Sequence, residues 1–316
     1  MGSTHSPSIK VSSSIPLSSN NPLSQSSPWG RKGNRAKSEG DSIVGGRRGS
    51  GIDKEGPSLG FLNSEDNGGM GKSMAGHLDG NLEAANSALI EIQNLIRSDF
   101  EWDVSSDRES ANDLALATTN FLSTNNAVER LKRRFMGVHQ VVILGAAVEP
   151  SDILSLDGDC LFVAADGSVG VLDELPEDLS ESVWKRLALV VSDGDGGDAT
   201  LNAGRKAIPF ALHAHGDNKD EWKSLLPILD AHCETLIITH QCPEDINGMQ
   251  NPGGFTDGDR AVCIVVACGV KMSNITLLGF QSNSIGRWTG VTEPVLKLRK
   301  LKWMDEVLQL LMEGVN

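Results

Sequence analysis

Six short apolar runs, separated by segments with helical periodicity, constrain the fold of this chain more than any other feature. Each run has the length of a β-strand and is largely apolar on both faces, which is the pattern of strands covered by helices in a parallel sheet. The alternation predicts an α/β fold with a doubly wound, mostly parallel sheet. The six runs are residues 141–144, 160–165, 187–191, 209–213, 236–239 and 275–278.

Composition and periodicity divide the chain into three parts. Residues 1–80 are rich in Ser, Gly, Asn and Pro and almost free of apolar periodicity. Such a segment buries too little apolar surface to offset the entropy of ordering, so we predict a disordered tail. Residues 81–137 carry apolar side chains at helical spacing and are predicted to form an N-terminal helical region. Residues 138–316 hold the strand-like runs and are predicted to form the α/β domain.

The net charge and the distribution of apolar residues limit which partners and which cellular compartment we expect for the protein. The net charge is −14, whereas nucleic-acid phosphates are bound through surplus Lys and Arg, so no nucleic-acid partner is expected. Neither a run of 18 apolar residues nor the apolar core of a secretory signal occurs, so we expect no membrane partner. Five cysteines without a Cys-x-x-Cys pair are typical of reduced core thiols in a cytoplasmic protein. Formation of a homo-oligomer is left open.

Polar or glycine-rich clusters follow the second to fifth predicted strands. The carboxyl ends of parallel strands meet at one edge of a sheet, and ligands bind there in open α/β folds. We therefore predict an active site for small-molecule substrates at this edge. The clusters are residues 166–167, 192–197, 213–218, 239–241 and 253–260.

Asp193 and Asp195 form an Asp-x-Asp step directly after the third predicted strand. Mg²⁺ keeps several waters and takes one or two carboxylates plus substrate phosphate oxygens, which this step can accommodate. An ordinary Asp/Gly turn is the alternative. Asp166, Asp257 and Asp259 are further acidic candidates near the same edge.

The segment 251–260, which reads NPGGFTDGDR, combines paired glycines, two carboxylates and an arginine. The glycines allow the backbone to approach a ligand closely. A buried helical run follows, so backbone N–H groups and the helix dipole favour an anion here. Arg260 can clamp a phosphate. We predict a nucleotide-phosphate site, with either Asp257 or Asp259 capping the helix.

His213 and His215 lie at the end of the fourth predicted strand, where alternation places both imidazoles on one face. This is half of the pattern of a metallo-hydrolase zinc site, but Asn218 stands where such a site needs a further histidine. The histidines and Asp217 are therefore predicted to position phosphate or substrate. Packing and hydrogen bonding beneath a loop is the alternative.

Other phosphate-binding motifs are absent or incomplete. The chain contains neither GxxxxGK(S/T) nor GxGxxG. Gly145 opens a weaker candidate loop, residues 145–151, after the first predicted strand. The last predicted helix carries several basic residues. Either they form a solvated face, or one of the lysines reaches a phosphate. These residues are Lys297, Arg299, Lys300 and Lys302.

The motifs, taken in order, resemble the MptE-like family, whose archaeal members include 6-hydroxymethyl-7,8-dihydropterin diphosphokinase. The similarity covers about residues 85–313. The loop after the first strand departs from the family pattern, because Val148 and Glu149 remove flexibility and add negative charge. The motifs are AADG at 164–167, VSDGDG at 191–196, HAHGDN at 213–218, THQ at 239–241, GGFTDGDRA at 253–261 and IGRWT at 285–289.

The resemblance implies a Rossmann-like core similar to thiamine pyrophosphokinase. It also implies Mg²⁺-dependent transfer of the β,γ-diphosphoryl group of ATP to the pterin hydroxymethyl group, releasing AMP, in tetrahydrofolate or tetrahydromethanopterin synthesis. The α/β domain would then be catalytic. The implied metal ligands are Asp193, Asp195 and Asp257, and the implied catalytic residues are His215, Asp217 and Arg260. The implied contacts to ATP or substrate are Gly145, Asp166, Gly167, His213, Asn218, Gln241, Gly253, Gly254, Thr256 and Asp259.

Two other classes of function fit the same residues. Bacterial flagellin-modifying proteins contain a similar domain, and an Asp-x-Asp step also serves metal-bound sugar nucleotides, so a metal-dependent glycosyltransferase is one alternative. A non-catalytic nucleotide-binding module is the other, because the altered loop after the first strand allows it.

Overall fold

The computed structural model describes residues 80–156 and 158–313. The predicted disordered tail, apart from residue 80, lies outside these described residues. Every named strand pairing within them is parallel, and the sheet order is β5-β4-β3-β2-β1-β6. The predicted α/β class with a parallel sheet is therefore confirmed. The strands are β1 (Val141–Leu144), β2 (Leu161–Ala165), β3 (Leu187–Ser192), β4 (Phe210–His213), β5 (Leu236–Thr239) and β6 (Ile275–Leu278).

Helices flank this sheet and connect its strands. Three α-helices precede β1 in the described part of the chain, and a 3₁₀ segment at Asp166–Glu174 directly follows β2. The helices are α1 (Ala88–Phe100), α2 (Val104–Ala117), α3 (Ala127–Phe135), α4 (Pro150–Leu154), α5 (Glu177–Arg186), α6 (Gly197–Arg205), α7 (Lys219–His232), α8 (Asp257–Ala267) and α9 (Pro294–Glu313). None of the helices in the described part of the chain is long and apolar enough to cross a membrane.

The sheet separates two apolar cores, because successive strand side chains point to opposite faces. In β1, Val142 and Leu144 pack with residues of α2, α5, α6 and α7. Val141 and Ile143 pack on the other face with residues of α1, α3, α8 and α9. Burial on both faces explains why each strand is almost continuously apolar in sequence.

The order of the strands determines which loops meet. The chain crosses the sheet from β1 to β5, and α8 then packs across β1, β2 and β3 before β6 pairs with β1. The N-terminus of α8 therefore reaches the edge where β2 and β3 end, beside the acidic residues that follow those strands.

Candidate active site

Three aspartates converge at the carboxyl ends of β2 and β3. Asp166, Asp193 and Asp195 each offer a carboxylate oxygen, and these oxygens lie within 4.8 Å of one another. Asp166 adopts a left-handed backbone conformation with φ of 51°, and Ser192 Oγ donates to its Oδ1 at 2.6 Å. The strand ends and this hydrogen bond thus hold the carboxylates in one cluster, as the sequence predicted from their positions.

The electrostatics of the cluster favour a cation. Burial, together with the negative charges of Asp257, Asp193 and Asp195, raises the pKa of Asp166 well above its usual value. Burial and the neighbouring Asp193 and Asp195 likewise raise the pKa of Asp257. Removal of water and the charge of Asp193 raise the pKa of Asp195 to about 6. A bound cation would relieve the repulsion between these carboxylates, and carboxylate oxygens are the ligands that Mg²⁺ takes in proteins.

His215 lies between two carboxylates and uses both ring nitrogens. Its Nε2 is 3.1 Å from Asp193 Oδ2, and its Nδ1 is 2.8 Å from Asp217 Oδ1. Burial alone would lower the pKa of His215, but the hydrogen bonds to Asp193 and Asp217 raise it to about 9. Burial in turn would raise the pKa of Asp193, yet His215 holds it below its usual value. His215 is therefore an imidazolium with no free nitrogen to accept a proton, a geometry suited to orienting Asp193 and Asp217.

Asn218 is a structural cross-link, although the sequence suggested that it contacts a ligand. Its Nδ2 donates to Asp193 O at 2.8 Å and to His213 O at 2.7 Å, while its Oδ1 accepts from His215 N at 3.0 Å. Its amide is buried and fully used in holding the loop after β4 against the loop after β3.

The start of α8 resolves the predicted choice between Asp257 and Asp259 as the cap. Thr256 and Asp259 form a capping box, and Asp259 also accepts from Phe255 N at 2.6 Å. Asp259 is fully buried in these hydrogen bonds. The prediction that Asp259 contacts a ligand is therefore corrected: Asp259 caps the helix, whereas Asp257 faces the aspartate cluster.

The paired glycines form a tight turn that packs against two helices, and the predicted contact of their backbone with phosphate stays a prediction. Gly253 and Gly254 have φ of 91° and 90°. A Cβ at Gly253 would lie 2.8 Å from Leu89 Cβ, and one at Gly254 would lie 2.5 Å from Arg260 Cα. The tight turn thus presses against α1 and α8, and glycine is required there for steric reasons.

Arg260 and His213 are buried yet incompletely hydrogen-bonded. Arg260 is 1% exposed and its Nη2 donates to Phe255 O at 3.0 Å, but its Nε and Nη1 find no partner among the described residues. His213 is also 1% exposed. Its Nδ1 is 3.0 Å from Thr239 Oγ1, and its Nε2 has no partner within the same described part of the chain. Buried polar atoms without partners are costly, so a ligand that pairs with them is favoured.

Two cavities flank the aspartate cluster. The first has a volume of about 260 Å³ and contains both unpaired side chains. The second, of about 130 Å³, contains the predicted residues Gly145 and Asp166. Both are lined by Asp193, Thr256, Asp257, Lys297 and Lys300, so these five residues lie between the cavities.

The basic residues of α9 divide between the cavities and the surface. Lys297 and Lys300 line both cavities. Arg299 instead donates from Nε to Asp99 Oδ2 at 3.0 Å, and Lys302 is exposed. Two of the four basic residues therefore lie beside the aspartates, and contact of either one with a phosphate stays a prediction.

The remaining predicted residues divide between ligand and packing positions. Gln241 lines the first cavity. Gly167 lines neither cavity, and a Cβ there would lie 2.8 Å from Trp288 O, so its role is packing. In the altered loop after β1, Val148 is part of the core and Glu149 Oε2 accepts from Arg287 Nη1 at 2.8 Å. The Glu149 charge is thus paired.

The sequence reasoning missed the contribution of the α1–α2 junction. Trp102 and Asp107 line the first cavity. Asp107 Oδ1 accepts from Gly216 N at 2.8 Å, its Oδ2 accepts from Gln241 Nε2 at 2.9 Å, and Arg97 Nη1 is 3.6 Å from that same oxygen. Arg97 and Asp107 are buried, as are the polar residues Gln93 and Ser110 of the same two helices, and the apolar spacing of the sequence does not reveal this.

Three relatives are similar in sequence to this chain, and each is named 6-hydroxymethyl-7,8-dihydropterin pyrophosphokinase. The protein from Pyrococcus furiosus is 29% identical over 231 residues, which span 68% of this chain and 89% of the relative. The protein from Methanocaldococcus jannaschii is 30% identical over 198 residues, or 59% of this chain and 75% of the relative. The protein from Methanothermobacter thermautotrophicus is 32% identical over 133 residues, which span 42% of this chain and 50% of the relative.

No protein-family model matches the chain, so the narrower MptE-like assignment continues to depend on the motifs. The relatives nevertheless share identity over most of their own length, beyond the site residues alone. The chain belongs to the family of the 6-hydroxymethyl-7,8-dihydropterin pyrophosphokinases.

Proposed function

We propose that this protein is a Mg²⁺-dependent diphosphokinase that transfers the β,γ-diphosphoryl group of ATP to the hydroxymethyl group of 6-hydroxymethyl-7,8-dihydropterin. The observation that carries the proposal is the aspartate cluster with Lys297 and Lys300 between two cavities. A transfer between two substrates needs a charged centre that both can reach. The names of the relatives agree with this reaction.

In the proposed reaction the acceptor hydroxyl oxygen forms a bond to the β-phosphorus of ATP. The bond between that phosphorus and the α,β-bridging oxygen breaks, and AMP leaves with the bridging oxygen. The hydroxyl proton passes to Asp217 or to water. Reactions of this kind depend mainly on positioning and charge stabilisation, so the protein needs no strong base.

Mg²⁺, when bound, would neutralise phosphate charge at the reacting centre. Asp166, Asp193 and Asp195 would hold it, because their oxygens already lie within 4.8 Å of one another. Asp257 faces the same cluster from the start of α8 and is a further candidate ligand.

Lys297 and Lys300 would bind and orient the phosphates, because they reach both cavities from α9. Arg260 lines the first cavity and not the second. It is buried and would offer the acceptor its N–H groups that have no protein partner among the described residues. Donors that are fixed before the reaction, in a site with little water, stabilise developing phosphate charge most effectively. Burial lowers the pKa of Arg260, but a guanidinium keeps its proton.

His215 would orient the acceptor side of the site through Asp217. The imidazolium is anchored to Asp193 and holds Asp217, whose side chain is 91% exposed and points from the loop after β4. Asp217 could then accept a hydrogen bond from the hydroxymethyl group. His215 would thus link Asp193, a ligand of the metal, to Asp217, which contacts the acceptor. The position of the metal and the position of the acceptor would then depend on each other.

The test is incubation of the protein with ATP, MgCl₂ and 6-hydroxymethyl-7,8-dihydropterin, with separate reactions that omit the metal or the pterin. We expect AMP and pterin diphosphate in equal amounts, and neither product when Mg²⁺ or pterin is omitted. Formation of ADP, or release of AMP at the same rate without the pterin, would contradict the proposal. Binding of ATP without any turnover would instead support a nucleotide-binding module.

A further inference from the structure

The first cavity is lined by buried side chains with polar atoms that can hydrogen-bond a ligand. Arg260 and His213 are each 1% exposed, line this cavity, and have nitrogen atoms without partners among the described residues. His213 Nδ1 lies 3.0 Å from Thr239 Oγ1, and this hydroxyl can accept from the ring or donate to it, since it also lies 3.4 Å from Leu212 O. Depending on the tautomer, His213 Nε2 is a donor or an acceptor for a ligand, and Arg260 adds donors beside it.

An aromatic wall closes the same cavity. Trp102 and Phe255 line it, and their ring centroids are 6.1 Å apart. Phe100 stacks on Trp102 at 4.5 Å with an interplanar angle of 18°. Lys300 Nζ, which also lines the cavity, lies 5.1 Å from the centroid of Trp102. The packing of Phe100 holds the Trp102 ring in place before any ligand binds, which lowers the entropic cost of binding.

We propose that the first cavity binds the flat heterocycle of the acceptor, and that Trp102, His213 and Arg260 select it. This inference rests on the proposed function and assigns one substrate to one side of the aspartates. A pterin ring has carbonyl and ring-nitrogen acceptors for Arg260, and it has both donors and acceptors that can pair with either tautomer of His213. Its π face suits the aromatic wall.

Position favours the pterin over the nucleotide for this cavity. A volume of about 260 Å³ has room for a bicyclic heterocycle. Asp193, Lys297 and Lys300 are common to both cavities. A pterin in the first cavity would therefore present its hydroxymethyl group toward the shared residues, and ATP would extend its phosphates to them from the second cavity.

The test measures the binding of two probes separately. Oxidised 6-hydroxymethylpterin is titrated by its own fluorescence in the absence of nucleotide, and a non-hydrolysable ATP analogue with Mg²⁺ is titrated by calorimetry. The variants are Trp102→Ala, Trp102→Phe, and Trp184→Ala as a matched control. Trp184 lies on α5, lines neither cavity, and donates from Nε1 to Asp173 Oδ1 at 3.2 Å.

We expect Trp102→Ala to weaken pterin binding about tenfold, because stacking energy is lost, and to leave binding of the ATP analogue unchanged. Trp102→Phe should recover most of the pterin affinity, and Trp184→Ala should retain all of it. His213→Gln, measured alongside, should also weaken pterin binding, and it keeps the test valid if Trp102→Ala fails to fold.

Two results would overturn the inference in distinguishable ways. If Trp102→Ala and His213→Gln bind pterin as wild type does but lose affinity for the ATP analogue, the first cavity belongs to the nucleotide, and the proposed reaction can still hold. If wild-type protein neither binds the pterin nor converts it, the proposed function itself fails and the inference fails with it.

Discussion

The two cavities beside the aspartates are built from different parts of the chain. The first combines the α1–α2 junction with the ends of β4 and β5 and the start of α8. The second is bounded by the loops after β1 and β6, where Gly145, Gly279 and Gly286 allow close backbone approach. Among the described residues, those that line both are Asp193, Thr256, Asp257, Lys297 and Lys300. The end of β3, the start of α8 and the helix α9 thus supply the shared charged centre, and segments distant in sequence supply the other walls of the two cavities.

The contrast extends to two neighbouring histidines. His215 contacts Asp193 of the shared centre, is hydrogen-bonded through both nitrogens, and has a pKa raised to about 9. His213 faces the first cavity, and burial together with Arg260 lowers its pKa well below the usual value. One histidine is charged and fixed, and the other is neutral with a nitrogen available to a ligand. The last residue of β4 and the residue two positions after it therefore differ in charge and in hydrogen bonding.

The largest effect should come from the shared centre. Asp193→Asn removes a carboxylate that both cavities need and weakens the anchor of His215, so we expect kcat to fall by at least about 100-fold. Asp198→Asn is the matched control, since Asp198 is exposed on α6 and lines neither cavity. The measurement is the rate of AMP formation at saturating ATP, Mg²⁺ and pterin. Equal rates for the two variants would remove Asp193 from the centre.

A change on the first-cavity side should be smaller but still large. Arg260→Lys keeps the charge but loses the planar set of donors. We expect kcat/KM for the pterin to fall by about 10- to 100-fold, while Arg205→Lys, at an exposed position of α6, leaves it unchanged. Steady-state kinetics with the pterin as the varied substrate would measure this effect. A wild-type value for Arg260→Lys would show that its free N–H groups contact no substrate.

The two faces of α9 provide an internal comparison. Lys300→Ala removes a cation that lines both cavities, whereas Lys302→Ala removes an exposed one. We expect about a tenfold fall in kcat/KM for ATP in the first variant and none in the second. A similar fall in both would mean that the helix acts through its general positive field, and raising the salt concentration would then abolish the difference from wild type.

The smallest effect concerns stability. The pKa of His215 is about 9 in the folded protein, against 6.5 for an ordinary histidine. Its stabilising effect is therefore complete below about pH 6.5 and is lost as the pH rises through about 9. In the presence of a chelator, wild-type protein should lose about 1–3 kcal/mol more unfolding free energy over this range than His215→Asn. Urea unfolding at pH 6 and pH 9.5 would measure it, and parallel losses would show that His215 is neutral.

The sheet and the shared centre could be predicted from sequence because local patterns determine them. Strands that are buried on both faces of the sheet are short runs of apolar residues. Polar residues directly after such strands must meet at the carboxyl edge of the parallel sheet. That reasoning located Asp166, Asp193 and Asp195 correctly in one cluster. Lys297 and Lys300 were included only as one of two alternatives, since a helix pattern does not reveal which surface lysines turn toward a cavity.

The contribution of the α1–α2 junction to the first cavity could not be predicted in this way. Trp102 and Asp107 lie far in sequence from the strand ends, and only tertiary packing brings them there. Conversely, Asp259 matched a ligand-contact motif but caps α8, and Gly254 matched a phosphate loop but makes room for Arg260. Residue type and spacing suit both roles in each case, and only the hydrogen bonds and steric contacts distinguish them.

We propose that the aspartate cluster is a metal centre between a pterin cavity and a nucleotide cavity. A crystal structure with Mg²⁺, a non-hydrolysable ATP analogue and 6-hydroxymethylpterin would test this arrangement. We predict Mg²⁺ at about 2.0–2.1 Å from oxygens of the aspartate cluster and of the phosphates, with the pterin against Trp102. A metal bound elsewhere, or the adenine ring against Trp102, would contradict the account.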